Sequence, residues 1–316
     1  MKKRYSALLI AAALTTVLLT SCAEIDDGYY DLGNPVENPA VTQPTDDDNL
    51  VSTTPEITTQ PDITTEATTT TMPIVSEIME NVYVTGQYDY TALSTEGDGF
   101  GHGSHYDDVN RPSGARRFNE GYGKFNATAM EATEEKVITL TFDEGYEEGY
   151  TPAILDTLKE KGVTATFFIT GDYARRQPEL VKRMIDEGHR VGNHSWSHYS
   201  MPEISVDEMK KEIMDLHEYV ITNFGIQMTE FRPPKGEYSE LSLAVTGDCG
   251  YKSVLWSFAY ADWDPDDQPE KEASLQKMID RLHPGAIYLL HAVSETNTAV
   301  LGDFIDSARE AGYVFK

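Results

Sequence analysis

The chain reads as an α/β protein of parallel strands with outer helices, and three observations predict it. From Lys136 onward, short β-rich runs alternate strictly with helical patterns. The clearest helical pattern opens with a capping box, Ser205 and Glu208, and continues with Met209, Ile213, Leu216, Val220 and Phe224 at steps of three or four. Proline occupies the first helical position at Pro152 and Pro178. Seven strands follow, over 137–142, 165–169, 190–193, 229–231, 252–256, 286–290 and 313–316. Between them fall six helices near 152–161, 178–187, 205–224, 239–249, 270–282 and 297–311. Parallel strands with outer helices form either an open sheet or a closed barrel, and this count fits a barrel one unit short of eight. In either, the chemistry sits on the loops that follow the strands.

The region before Lys136 differs in character. Residues 2–4 are basic and an apolar run of 13 residues, 7–19, follows. That run is shorter than the about 20 residues a bilayer core requires, so 1–22 is expected to be a secretory signal peptide. It ends in Leu19-Thr20-Ser21-Cys22, which resembles a bacterial lipoprotein cleavage site, with Cys22 the lipidated residue. Residues 23–80 contain no Lys or Arg, 13 acidic residues and twelve Thr between 42 and 71. Such a composition cannot offset chain entropy by burial, so it is expected to be a disordered linker spanning roughly 40–45 Å. Residues 81–135, rich in Gly, Asn and Tyr, show no period and are expected to form an irregular arm packed on the domain at 136–316.

With 25 basic against 53 acidic residues the formal charge is −28, which disfavours nucleic acid as a partner. Two cysteines, Cys22 and Cys249, exclude a disulfide scaffold and a cysteine zinc site.

Polar residues gather where strands end. Asp143 and Glu144 follow the first strand, and His194 and His198 the third. Arg232 follows the fourth, Asp262 and Trp263 come shortly after the fifth, and Leu289-Leu290-His291 closes the sixth. If the strands are parallel, all of them meet on one rim. A His pair at i, i+4 with one carboxylate makes three metal ligands and leaves positions open, as in catalytic zinc sites. A second carboxylate, a third His and an Arg remain for proton transfer, the inventory of a metal-assisted hydrolase. Each fragment alone is commonplace; five after five different strands are not. His189 and His283 are read as structural, His217 as solvated, and His102 with His105 as no second metal site.

In order, these fragments stand as TFDEG at 141–145, HSWSH at 194–198, RPPKG at 232–236, DW at 262–263 and LLH at 289–291. They resemble the polysaccharide deacetylase family (carbohydrate esterase family 4, the NodB-homology domain) over residues 136–316. Longer stretches, TFDEGYEEGYTPAILDTLK and HPGAIYLLHAVS among them, are most similar to its branch of N-acetylmuramic acid de-N-acetylases that lead to muramic δ-lactam. The resemblance implies a distorted (β/α)7 barrel. It implies Asp143 as general base, and a divalent metal (zinc, or else cobalt or manganese) held by Glu144, His194 and His198. Arg232 is implied to hold Asp143 ionised, and His291 to be the general acid oriented by Asp262. Trp263 and Leu289 are implied to wall the acetyl pocket. Glu144 stands where the family carries Asp, which singles it out.

The expected activity is removal of N-acetyl groups from peptidoglycan by a monomeric enzyme, lipid-anchored to the outer face of the cell membrane and working in the cell wall. Two other readings stay open. One is deacetylation of another glycan: peptidoglycan GlcNAc, chitooligosaccharide or xylan. The other is a non-catalytic glycan-binding lipoprotein, which would have no need of a complete proton-transfer set.

Overall fold

The computed structural model describes residues 86–316. The expected signal peptide, the linker and the lipidation site Cys22 lie outside the described residues.

Strand β3 (Val137–Glu144) is the axis of the sheet. Strand β9 (Ala286–His291) pairs with it in parallel from Ile138 to Asp143. On its other edge β4 (Thr166–Ile169) pairs with the upper half, Thr141 to Glu144. Strands β5 (Arg190–Asn193), β6 (Glu230–Phe231) and β8 (Lys252–Val254) continue from β4, all parallel. Past β8 the chain turns back onto β9: Ser257 N–H donates to Ile287 C=O at 2.9 Å, and Phe258 bridges Tyr288. The sheet thereby curls into a distorted barrel.

The seventh expected strand, β10 (Val314–Phe315), does not take a place in the ring. It pairs with Val137 and Ile138 at the foot of β3. Because β9 also pairs with Ile138, β10 must share the edge that β4 occupies higher up. The gap between β8 and β9 is filled from elsewhere. Residues Ala127–Thr128 form β2, parallel to Ser253 and Val254, and Glu131 N–H donates to Gly285 C=O at 2.9 Å. The stretch expected to be irregular thus supplies a strand. It also supplies a helix, α1 (Ser113–Tyr122), which buries Ala115 and Phe118, and a short strand β1 (Asp98–Gly99) antiparallel to β7 (Glu237–Tyr238).

The helices form where their sequence signals stand. Helix α2 (Thr151–Lys161) has Pro152 in its first turn and ends on left-handed Gly162. Helix α5 (Val206–Phe224) carries both halves of the Ser205–Glu208 capping box and ends on left-handed Gly225. Helices α4 (Pro178–Asp186), α6 (Glu240–Asp248), α7 (Lys271–Asp280) and α8 (Glu295–Glu310) complete the expected six. One more, α3 (Gly171–Arg176), is too short to show a period; the Thr170 side chain caps it by accepting from Tyr173 N–H.

Pleating divides the side chains into two cores. Ile138, Leu140 and Phe142 point outward and pack with Ile154, Leu155 and Leu158 of α2 and Leu301, Phe304 and Ile305 of α8. Phe168, Ile287 and Leu289 point inward, where Trp256 and the arm residues Phe100 and Phe118 join them. His217 belongs to the outer layer, a correction to its expected solvation: it is fully buried, and its Nδ1 meets the Tyr251 hydroxyl at 2.5 Å. The buried arc of α5 is wider than its apolar stripe and takes in Glu212 and His217 as well.

Candidate active site

The inward face of β3 runs Thr139, Thr141, Asp143, and the β3–β9 register sets Asp143 directly beside His291. Arg232, fully buried at the end of β6, reaches across beneath them. Its Nη1 donates to Asp143 Oδ1 and to Thr141 Oγ1, both at 2.8 Å. Its Nε donates to Val254 C=O at 3.0 Å and its Nη2 to Leu255 C=O at 3.3 Å, while the guanidinium stacks 4.2 Å from the Phe168 ring centroid. A fixed fork with this many partners cannot be replaced by a lysine. Burial alone would raise the Asp143 carboxyl, but the Arg232 guanidinium foremost, with the neighbouring imidazoles, outweighs it and holds it below the ordinary carboxylate value.

The two histidines arise from a strained loop after β5. Ser195 (φ 66°) and His198 (φ 60°) are both left-handed, a conformation that costs a non-glycine residue about 1–2 kcal/mol. Side chains hold the loop there. Asn193 Oδ1 accepts from Ser195 N–H at 2.9 Å, Ser195 Oγ accepts from His198 N–H at 2.9 Å, and Glu212 of α5 accepts from Ser197 N–H at 2.6 Å. A side chain at Gly171 would strike Trp196 in this loop, so α3 can begin close against it.

The His194 and His198 ring centroids are 4.8 Å apart. His194 Nδ1 donates to Arg232 C=O at 2.8 Å, which leaves the lone pair on Nε2, and Nε2 lies 3.5 Å from Asp143 Oδ2. Burial keeps His194 neutral, and burial together with His194 pushes His198 down to about 3. A lone pair and a carboxylate oxygen therefore face each other with no proton between them, an arrangement a shared cation would relieve. Among the described residues, no three His, Cys, Asp or Glu side chains stand in ready metal geometry. The imidazoles that could receive a divalent ion are the neighbouring pair His194 and His198.

Opposite, His291 Nδ1 donates to Asp262 Oδ1 at 2.7 Å, and His291 N–H to Asp262 Oδ2 at 2.9 Å. Asn297 Nδ2 donates to the same carboxylate at 2.5 Å and to His291 C=O at 3.1 Å. Burial opposes the imidazolium, but the Asp262 charge and hydrogen bond, with Asp143 behind them, raise His291 above its ordinary value. Trp263 stands beside the His291 ring, 6.2 Å between centroids, and Leu289 lies one pleat below on the same inward face.

Glu144, the third expected metal ligand, stands apart from the two histidines. It follows Ile138, Leu140 and Phe142 on the outward face of β3, away from Asp143. It is fully buried, and neither carboxylate oxygen makes a hydrogen bond among the described residues. Its polar neighbours are Tyr173 and Glu147, and burial, then the Glu147 and Asp143 charges, raise its pKa well above the ordinary value. Glu144 thus lies in the sheet–helix layer, where burial favours its neutral form.

Sequence reasoning missed Glu212 and Asn297, the residues that hold the His loop and Asp262. Both sit on helices distant in sequence from what they hold, and no motif marks them. The other expected histidines are structural: His189 Nδ1 accepts from Ala165 N–H at 3.1 Å, and His283 bonds Arg281 C=O and Ser257 Oγ.

A barrel whose rim sets an Arg-held carboxylate between a histidine pair and a carboxylate-held histidine defines a hydrolase of the carbohydrate esterase kind. The sequence pattern of the family described as Polysaccharide deacetylase matches residues 130–254. The chain is 44% identical over 206 residues to the peptidoglycan-N-acetylmuramic acid deacetylase PdaA of Bacillus subtilis, covering 65% of this chain and 78% of that protein. The solved structure of B. subtilis PdaA, a family 4 carbohydrate esterase, superposes with a TM-score of 0.67 at 41% identity, over 71% of this chain and 95% of that one. The peptidoglycan-N-acetylglucosamine deacetylase PgdA of Listeria monocytogenes is 34% identical over 186 residues, 58% of this chain and 38% of that protein. The chain belongs to the polysaccharide deacetylase family.

Proposed function

We propose that the protein removes the N-acetyl group from N-acetylmuramic acid residues of peptidoglycan glycan strands, the step that opens the way to muramic δ-lactam. One observation carries this reading: Asp143 and His291 sit side by side across β3 and β9, Asp143 held by the buried Arg232 and His291 by the buried Asp262. The 44% identity to a muramic acid deacetylase supports the choice of sugar.

Asp143 takes a proton from the attacking water as its oxygen bonds to the acetyl carbon. His291 gives its Nε2 proton to the departing amine as the C–N bond breaks, so that acetate and a free amino sugar leave. Arg232 keeps Asp143 ionised and aimed; Asp262, steadied by Asn297, does the same for His291. Trp263 and Leu289 wall the acetyl methyl. His194 and His198 would hold a divalent ion such as zinc, which when bound supplies Lewis acidity to the acetyl carbonyl oxygen. Tyr146 and Tyr199, exposed beside Gly145 and His198, offer ring faces for neighbouring sugars.

In the same reading the enzyme is exported, tethered by lipid on Cys22 to the outer face of the membrane, and works as a monomer. No helix among the described residues is long and apolar enough to cross a membrane. Membrane fractionation of Cys22→Ser tests the tether: release of the variant supports it, and unchanged retention removes it. Acetate release and mass spectrometry on glycan strands of defined composition test the activity. New free amines on muramoyl residues are expected, and amines on glucosaminyl residues alone would overturn the assignment.

A further inference from the structure

His291 is held from behind by a buried chain of hydrogen bonds. Its Nδ1 donates to Asp262 Oδ1 at 2.7 Å, and Asp262 Oδ2 accepts from Asn297 Nδ2 at 2.5 Å. Asn297 Nδ2 also donates to His291 C=O at 3.1 Å. The Tyr260 hydroxyl donates to Asn297 Oδ1 and closes the chain. Asp262, Asn297 and Tyr260 are at most 3% exposed, so bulk water does not compete for these partners.

Each member has its place fixed locally. Asn297 stands in the first turn of α8, where its own N–H donates to the capping Ser294 Oγ at 3.0 Å. Gln268 Nε2 donates to Asp262 C=O at 3.1 Å, and its Oε1 accepts from the same Ser294 hydroxyl at 2.5 Å. The Tyr260 ring packs in the outer core, 5.8 Å from Phe258 between centroids. A phenylalanine would fill that place equally well, so packing does not call for the hydroxyl. The amide does call for it. An Asn side chain carries an NH₂ with two donors and a carbonyl acceptor. Asp262 and the His291 carbonyl take the donors, and the phenol serves the acceptor. A phenol is protonated at neutral pH, and burial raises this one further. A donor at the amide oxygen also polarises the amide N–H groups and strengthens their bond to the carboxylate.

We infer that Tyr260 is a positioning residue for deacetylation: through Asn297 and Asp262 it fixes the direction in which His291 presents Nε2. The inference rests on the proposed role of His291 as general acid. Without the hydroxyl the amide oxygen is buried with no partner, the Asn297 side chain turns to find one, and Asp262 loses a bond that aims it. The imidazole then keeps its carboxylate but not its bearing on the departing amine. Tyr260 and Asn297 lie behind Asp262 and do not meet the sugar, so the loss falls on kcat and leaves KM in place.

The test compares wild type, Tyr260→Phe, Asn297→Ala and the double variant on glycan strands carrying muramoyl residues, with NMR of the His291 ring nitrogens in the ligand-free proteins. An unpaired buried acceptor predicts about a 5–30-fold lower kcat for Tyr260→Phe, with KM within about twofold of wild type. The double variant should be no slower than Asn297→Ala, because the phenol acts only through the amide. The His291 ring resonances, identified by their absence in His291→Ala, should move in Tyr260→Phe while circular dichroism stays as in wild type. A merely structural tyrosine would lower the melting temperature and leave kcat and the resonances unmoved, which overturns the inference. Losses that add in the double variant, or a loss confined to KM, overturn it as well. A wild type that releases no acetate while the resonances still move in Tyr260→Phe overturns the deacetylase reading, and the positioning role with it, but leaves the hydrogen-bond chain standing.

Discussion

Asp143 and Glu144 are consecutive carboxylic acids at the end of one strand, and the two faces of that strand give them opposite states. On the inward face Asp143 meets Arg232, His194 and His291 and is held ionised below its ordinary value. On the outward face Glu144 meets burial and the charge of Glu147, which push its carboxyl well above its ordinary value. Both are deeply buried, so burial does not distinguish them. The difference lies in what each desolvated carboxylate faces: cations on one side, apolar side chains and further acid on the other. A pleat, which reverses side-chain direction at every residue, separates a carboxylate among cations from one among apolar side chains.

The inward face should be the more sensitive. Asp143→Asn and His291→Ala are each expected to lower acetate release by about 10²–10⁴-fold with the fold intact. Steady-state rates and circular dichroism check this, and near-wild-type turnover in either variant would remove its role.

Changing the partners should move the pH profile rather than only lower it. The proposed mechanism requires Asp143 ionised and His291 protonated, so activity is expected to fall at acid pH as Asp143 gains its proton and at alkaline pH as His291 loses its own. Arg232→Gln removes the chief opponent of desolvation at Asp143, so the acid limb should shift to higher pH. It should also cost about 3–5 kcal/mol of stability, because a buried charge is left unpaired. Asp262→Asn removes the strongest support of the imidazolium, so the alkaline limb should shift toward lower pH. Rates measured across pH at fixed ionic strength decide both, and a limb that stays where it was contradicts the assigned partner.

The outward face should respond least. Glu144→Gln is expected to change activity less than about threefold and to bind a divalent metal as wild type does, whereas His194→Ala should lose it. Its signature is in stability. The raised carboxyl of Glu144 gives the fold its full stability below the ordinary value of 4.5, and that stability declines as pH rises toward the raised value, because the unfolded chain gains by ionising. Glutamine cannot ionise, so the variant should melt like wild type below the ordinary value of 4.5 and increasingly above wild type as pH rises. A metal affinity that falls with Glu144→Gln as far as with His194→Ala would return Glu144 to the site.

Much of this was legible in the sequence. The six helices stand within about two residues of their expected limits because capping residues and prolines announce helix ends locally. Asp143, His194, His198, Arg232, Asp262 and His291 gather on one rim because parallel strands carry every strand end to the same side. Glu144 went astray because motif order records neighbours along the chain, not faces of a pleat. The alternation Ile138, Leu140, Phe142 against Thr139, Thr141, Asp143 already assigns it to the apolar side. His217 was misread for a related reason, since a helix pressed between sheet and neighbours buries more than its apolar stripe. Strand β2 and helix α1 were invisible, two residues being too few for a period and the helix lying in Gly-rich surroundings. Glu212 and Asn297 act only through tertiary approach.

The placement of β2 fixes where the protein can be cut. The family pattern begins at residue 130, just past Ala127–Thr128. A chain shortened to that point would keep every catalytic motif and lose the stave that fills the gap between β8 and β9. It would also lose Phe100 and Phe118 from the apolar surface around Trp256 and Leu289. The freed edge of β8 would be open to pairing with another molecule. Sequence pattern and packing therefore draw different borders here: the arm lies outside most of the matched pattern yet completes the sheet and the apolar surface of the barrel.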